Sequence, residues 1–153
     1  MYTIIVSKEL KEACPVFAGV AIYAEVKNTS YCEGLWEEIQ SFTEMLTATT
    51  RLEDIKKQPV IAATREAYKR CGKDPGRYRP SAEALRRRLM RGIALYQIDT
   101  LVDLINLVSL RTGHSIGGFD ADKIAGTGLE LGIGKINAVS YTHLRAHETL
   151  SDL

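Results

Sequence analysis

Cysteine is scarce in this chain, and what there is stands apart. Cys14, Cys32 and Cys71 form no CxxC pair and are odd in number, which speaks against both a disulfide framework and a zinc cluster and leaves reduced, structural thiols as the expectation. Long hydrophobic runs are also missing. The longest apolar stretches, near residues 93–98 and 104–110, are far too short to cross a bilayer, so no membrane partner is expected. The N-terminal MYTIIVSKELKE lacks a basic region followed by an apolar run and a small-residue cleavage site; no secretory signal is read there, and the cytoplasm is the expected location. Neither G-x-G-x-x-G, a P-loop nor an EF-hand spacing of acids occurs, which removes the signatures of dinucleotide, nucleoside-triphosphate and calcium binding. His143 and His147 lie four apart but without the acid of H-E-x-x-H. No metal and no cofactor are therefore expected, and no Ser-His-Asp or Cys-His set can be assembled from spacing alone.

Net charge is nearly absent in the sum, at +1, yet unevenly spread. Residues 65–91 hold ten Lys or Arg (Arg65, Lys69, Arg70, Lys73, Arg77, Arg79, Arg86, Arg87, Arg88, Arg91) against Glu66, Asp74 and Glu83. Arginines on a helix and the loop before it, with Tyr68 and Tyr78 interleaved, suit the phosphates and unpaired bases of RNA. The same run also reads as an ordinary solvated helix face. Overall neutrality and the lack of a helix-turn-helix spacing argue against DNA.

At 153 residues the chain has the size of one domain with one core, and its patterning is mixed α and β. Residues 2–7 and 16–26 read as strands, the second buried on both faces. Apolar residues at helical spacing predict an amphipathic helix over about 32–46. A second helix begins at Pro59 and ends near Cys71, with Gly72 at its left-handed terminus. Ser81 is placed to cap a third, with Leu85 and Leu89 inward and Arg86, Arg87, Arg88 and Arg91 around the outer face. Asp99 or Thr100 caps a last helix, LVDLINLVSLRT, which ends at Gly113 and is expected to be the most buried. The stretch RTGHSIGGFDADKIAG, residues 111–126, follows a helix rather than a strand, so it reads as a tight turn with positive φ at Gly117 and Gly118 rather than as a phosphate loop. Alternating Leu129, Leu131 and Ile133 predict a further strand. No internal repeat or low-complexity linker is present.

Several of these features occur together in a known family. The S-x-x-x-L-R-R-R-L helix of residues 81–89, then DTLVDLINLV of 99–108, then G-x-x-x-G-x-F-D ending at Asp120 and DKIAG of 122–126 resemble the B3/B4 tRNA-binding domain of the phenylalanyl-tRNA synthetase β subunit, and more closely the stand-alone bacterial proteins built from it. The resemblance covers roughly residues 1–135 and implies an α/β domain, a sheet packed with about four helices, that contacts tRNA. Within the synthetase this domain also holds the pocket that hydrolyses tyrosine wrongly esterified to the phenylalanine tRNA, a correction needed because near-isosteres are poorly discriminated. Asp103 and Asn106 match the synthetase's V-V-D-x-x-N-Y helix, and Phe119 and Asp120 match its H-A-F-D turn. Gly117 stands where that turn has histidine, and His114 falls three residues earlier. No catalytic residue is assigned and no ligase site is present.

The resemblance, joined to the basic run read above, points to tRNA contact through Arg65, Arg70, Lys73, Arg77, Tyr78, Arg79, Arg86, Arg87, Arg88 and Arg91. It also implies a pocket for an aminoacyl group or amino acid around Asn106, His114, Gly117, Gly118, Phe119 and Asp120. Two alternatives stand beside binding alone: a hydrolase that deacylates mischarged tRNA in trans, and an amino-acid or small-molecule binder without nucleic acid. After about Lys135 the family pattern is lost. INAVSYTHLRAHETLSDL resembles a terminus that recurs on open reading frames from environmental sequence assemblies, so residues 136–153 are expected to be a non-homologous tail on a C-terminally incomplete domain, with exposed strand edges near 129–133.

Overall fold

The computed structural model describes residues 2–134; the expected tail, with His143 and His147, lies outside the described residues. The architecture is mixed α/β, with five α-helices and a two-stranded sheet among those residues. The chain divides into two compact units, one drawing on residues 2–25, 66–78 and 119–134, the other on 26–65 and 79–118.

In the first unit, β1 (Thr3–Val6) pairs in parallel with β2 (Gly128–Leu131), Thr3 opposite Gly128 and Val6 opposite Leu131. The register continues at both ends, where Thr3 N–H donates to the Thr127 carbonyl at 2.9 Å and Ser7 N–H to that of Leu131 at 2.8 Å. Ser7 then opens a helix that periodicity did not reveal, α1 (Lys8–Ala13), its hydroxyl accepting from Leu10 N–H. The Tyr2 hydroxyl donates to the Ala121 carbonyl at 2.6 Å. Among the described residues each strand has one neighbour, and Ile4 and Ile5 are about half exposed.

Residues 16–26 are not a strand. They lie in irregular, exposed backbone, with Val20 91% exposed. A strand needs a neighbour for its N–H and C=O groups, and among the described residues β1 and β2 pair only with each other.

The second unit is helical. Its centre is Leu46 of α2 (Glu33–Thr49), Leu89 of α4 (Ser81–Met90) and Leu110 of α5 (Thr100–Thr112), flanked by Phe42, Leu85, Met90 and Leu95. Each buried leucine contributes about 1.5–3 kcal/mol. α3 (Pro59–Arg70) supplies Ile61 to the interior, fully buried like Ile55 of the 3-10 turn Ile55–Lys57. Gly72, φ +74°, follows α3 as expected.

Two local expectations for these helices are corrected. Ser81 is the first helical residue rather than the cap, because the Pro80 carbonyl already accepts from Ala84 N–H and no side chain caps the end. α5 is not buried all round: Asp103, Leu107, Ser109 and Leu110 face α2 and α4, while Leu104 and Val108, four apart on another stripe, are exposed.

The start of α5 is tied down repeatedly. Asp99 caps it, accepting from Val102 N–H at 2.9 Å. The Asn28 side-chain oxygen accepts from Leu101 N–H at 3.0 Å, and the hydroxyls of Thr29 and Thr100 lie 2.6 Å apart. One turn in, buried Asp103 accepts from the Trp36 indole at 2.8 Å and from Ile98 N–H at 3.2 Å. Asp99→Ala is expected to cost about 1 kcal/mol, read as a lower urea midpoint with unchanged slope. The modest value follows from the other ties, which persist without the cap.

Candidate nucleic-acid interface

The basic run does not form one solvated face, because α4 turns part of it inward. Glu83 has no exposed surface. It accepts from Arg65 Nη1 at 2.7 Å on one oxygen and from Arg87 Nε at 2.7 Å on the other. Both arginine side chains are about four-fifths buried. The second bridge is an i,i+4 pair visible in the sequence; the first spans 18 positions and requires the fold.

Arg86, expected on the outer face, is interior at 6% exposure. Its guanidinium donates to the Gln58 side chain and to the Leu110 carbonyl. Leu110 lies in the last turn of α5, where carbonyls have no intrahelical partner, so Arg86 closes that helix end from a neighbouring element. Its Nε has no hydrogen-bond partner among the described residues, and burial lowers the guanidinium's pKa from its usual value. Periodicity put Leu85 and Leu89 inside; the helix also presents Ala82, Glu83 and Arg86 inward, because the neighbouring elements offer a paired cation and a free carbonyl there.

What remains exposed differs by unit. In the helical unit Arg79 and Arg91 are exposed and make no ion pair among the described residues. Arg88 is half-buried, donating to the Ala94 carbonyl at 2.7 Å and stacking 3.9 Å from the centre of the Tyr96 ring. In the sheet-bearing unit, Arg70 and Lys69 meet Glu66 at 3.7 and 3.6 Å, both well exposed. Asp74 organises the following turn, its carboxylate accepting from Gly76 N–H and its carbonyl from Arg77 and Tyr78 N–H. That turn sets Lys73 and Arg77 at 5.6 and 5.3 Å from the centre of the half-buried Tyr78 ring. Lys73 also donates to the Gly134 carbonyl at 2.8 Å. Tyr68 is 5% exposed and is part of the interior, not a stacking surface.

The residues expected around a pocket fall in both units. Asn106 is half-buried on α5, and His114, Gly117 and Gly118 are exposed beyond its end. Gly113 terminates α5 at φ +79°, and the Ser109 hydroxyl donates to the His114 carbonyl at 2.7 Å. Positive φ does not occur at Gly117 or Gly118; it occurs at Gly113 and Gly126. The left-handed backbone expected at the double glycine is found instead at the end of α5 and before β2. Gly118 answers to a close approach: a Cβ there would lie 3.3 Å from Ile105 Cδ1. In the other unit Phe119 is 49% exposed, and Asp120 caps the 3-10 turn Ala121–Lys123 while pairing with Lys123 at 3.3 Å. Among the described residues no group of three or more His, Cys, Asp or Glu could hold a metal ion, and no helix is long and apolar enough to cross a membrane.

The structural roles of Glu83 and Gln58 went unread in the sequence. Only Glu83 carried a local signal, its spacing to Arg87. The family model described as the B3/4 domain matches residues 63–150. The match takes in the entire basic run and continues past residue 135, where the sequence reading drew its boundary; residues 1–62 lie outside it. No curated protein and no solved structure matches the chain.

Proposed function

We propose that this chain, which belongs to the B3/4 domain family, is a tRNA-binding module of the kind related to the phenylalanyl-tRNA synthetase β subunit. The observation that carries the reading is that the matched residues contain all ten cations of the basic run, several of them exposed. Each unit supplies its own: Arg79 and Arg91 in one, with half-buried Arg88 beside Tyr96, and Arg77 in the other, with half-buried Lys73 beside Tyr78. Exposed guanidiniums meet phosphate oxygens through two donors at once, and a tyrosine ring among them suits stacking with an unpaired base.

The proposed activity is binding. Ester cleavage needs a positioned water and donors aimed at the developing oxyanion. Gly117 stands where the synthetase's turn has histidine, and Asp120 is engaged with its own 3-10 turn and Lys123. No side chain is therefore assigned to hydrolysis.

Titration of the protein with deacylated tRNA at stepped salt tests the reading. Three to four phosphate contacts give a log Kd against log salt slope of roughly 2–3. Binding that is undetectable at low salt overturns the proposal, and so does binding that is insensitive to salt. A thermal shift with free amino acids in the absence of tRNA binding would favour a small-molecule binder instead.

A further inference from the structure

We propose that Cys14 and Cys71 are a thiol pair that oxidises to an intramolecular disulfide. Although 57 positions separate them, their sulfurs stand 4.0 Å apart, and both belong to the sheet-bearing unit. Each is anchored at a helix end. Cys14 closes α1, its N–H donating to the Leu10 carbonyl at 2.8 Å, and Cys71 directly follows α3, its N–H donating to the Ala67 carbonyl at 3.0 Å. The Cys14 sulfur lies 3.8 Å from that same Ala67 carbonyl, so it already points across to the last turn of α3. Bond formation needs the sulfurs to close from 4.0 Å to about 2.05 Å. Cys14 is buried and Cys71 half-buried, whereas Cys32 is exposed and belongs to the other unit.

The oxidising equivalents come from a low-molecular-weight disulfide. Cys71, the more accessible thiol, gives its proton to solvent, and its thiolate attacks one sulfur of the reagent. That S–S bond breaks, one small thiolate departs, and a mixed disulfide forms on Cys71. Cys14 then loses its proton and attacks the Cys71 sulfur, expelling the second small thiolate. Two cysteine thiols lose two electrons and two protons, and the reagent is reduced to two thiols. Burial pushes the Cys71 thiol's pKa up, with the Cys14 sulfur adding to the effect, so Cys71 rests as the thiol until oxidant arrives. The product ties the end of α1 to the end of α3.

The test treats the full chain with oxidised glutathione, alkylates residual thiols and maps peptides without reduction. The expected result is a Cys14–Cys71 linked peptide from a monomer, with exposed Cys32 recovered outside that linkage, alkylated or as its own glutathione adduct. Cys32→Ser should leave the linkage unchanged. Cys14→Ser should arrest the sequence at a persistent glutathione adduct on Cys71. If that variant does not fold, the wild-type map decides by itself. Three alkylated cysteines, a persistent adduct on Cys71 in the wild type, or linkage through Cys32 would each overturn the proposal.

Discussion

Replacing Glu83 by alanine is expected to destabilise the helical unit by about 3–5 kcal/mol, the cost of breaking a buried ion pair by removing one partner. Glu83 is fully buried and satisfies two arginines at once, each at 2.7 Å. Its removal leaves two guanidiniums, with side chains only 20% and 18% exposed, without their carboxylate. Both can swing partly toward water, which places the result toward the lower end of that range. Glu83→Gln keeps the volume and loses the charge, so it should fall between wild type and alanine. Arg87→Gln should cost less than either, because Arg65 still neutralises Glu83. Urea unfolding measures all three, with an unchanged slope showing that stability alone has moved. A loss under about 1 kcal/mol for the alanine variant would mean that water compensates the pair, as it does for exposed bridges.

The helices were largely readable from sequence because their signals are local. The 3.6-residue apolar pattern found α2 within a few residues, Pro59 and Gly72 bracketed α3, and Asp99 and Gly113 bracketed α5. What went unread depends on neighbours. The segment 16–26 has the composition of a strand, but a strand exists only with a partner, and pairing is not a property of the segment. Arg86 illustrates the same limit at a candidate site. Three consecutive arginines read alike, yet one turns inward to the Leu110 carbonyl, one pairs with Glu83 and one stacks on Tyr96. Composition counted charges; only packing says which of them are already spent. The double glycine shows the converse: neither residue has left-handed backbone, and at Gly118 what stands close is the Ile105 side chain.

Substituting the spent and unspent arginines should therefore produce two separable effects. Arg77→Gln, Arg79→Gln and Arg91→Gln are each expected to weaken tRNA binding about tenfold at low salt, a typical value for a charge-assisted contact. Each should also lower the salt slope by roughly 0.7–0.9. Their urea midpoints should move little, since all three side chains are exposed and make no ion pair among the described residues, and of the three Arg77 alone gives up a ring contact, with Tyr78. Arg86→Met is expected to do the reverse. It strands the Leu110 carbonyl and the Gln58 side chain, at about 1–3 kcal/mol for unsatisfied buried groups, and leaves the salt slope of the folded protein intact. Combining the three exposed substitutions should cost nearly a thousandfold in affinity if the sites act independently. Losses well short of additive would mean that fewer than three of these arginines meet phosphate in the same complex, and comparing the double variants would identify which. Unchanged binding in the triple variant would leave the exposed cations as a solvated surface and remove the electrostatic support for the tRNA reading. A slope that falls with Arg86→Met while the midpoint holds would show instead that the buried guanidinium is within reach of the ligand.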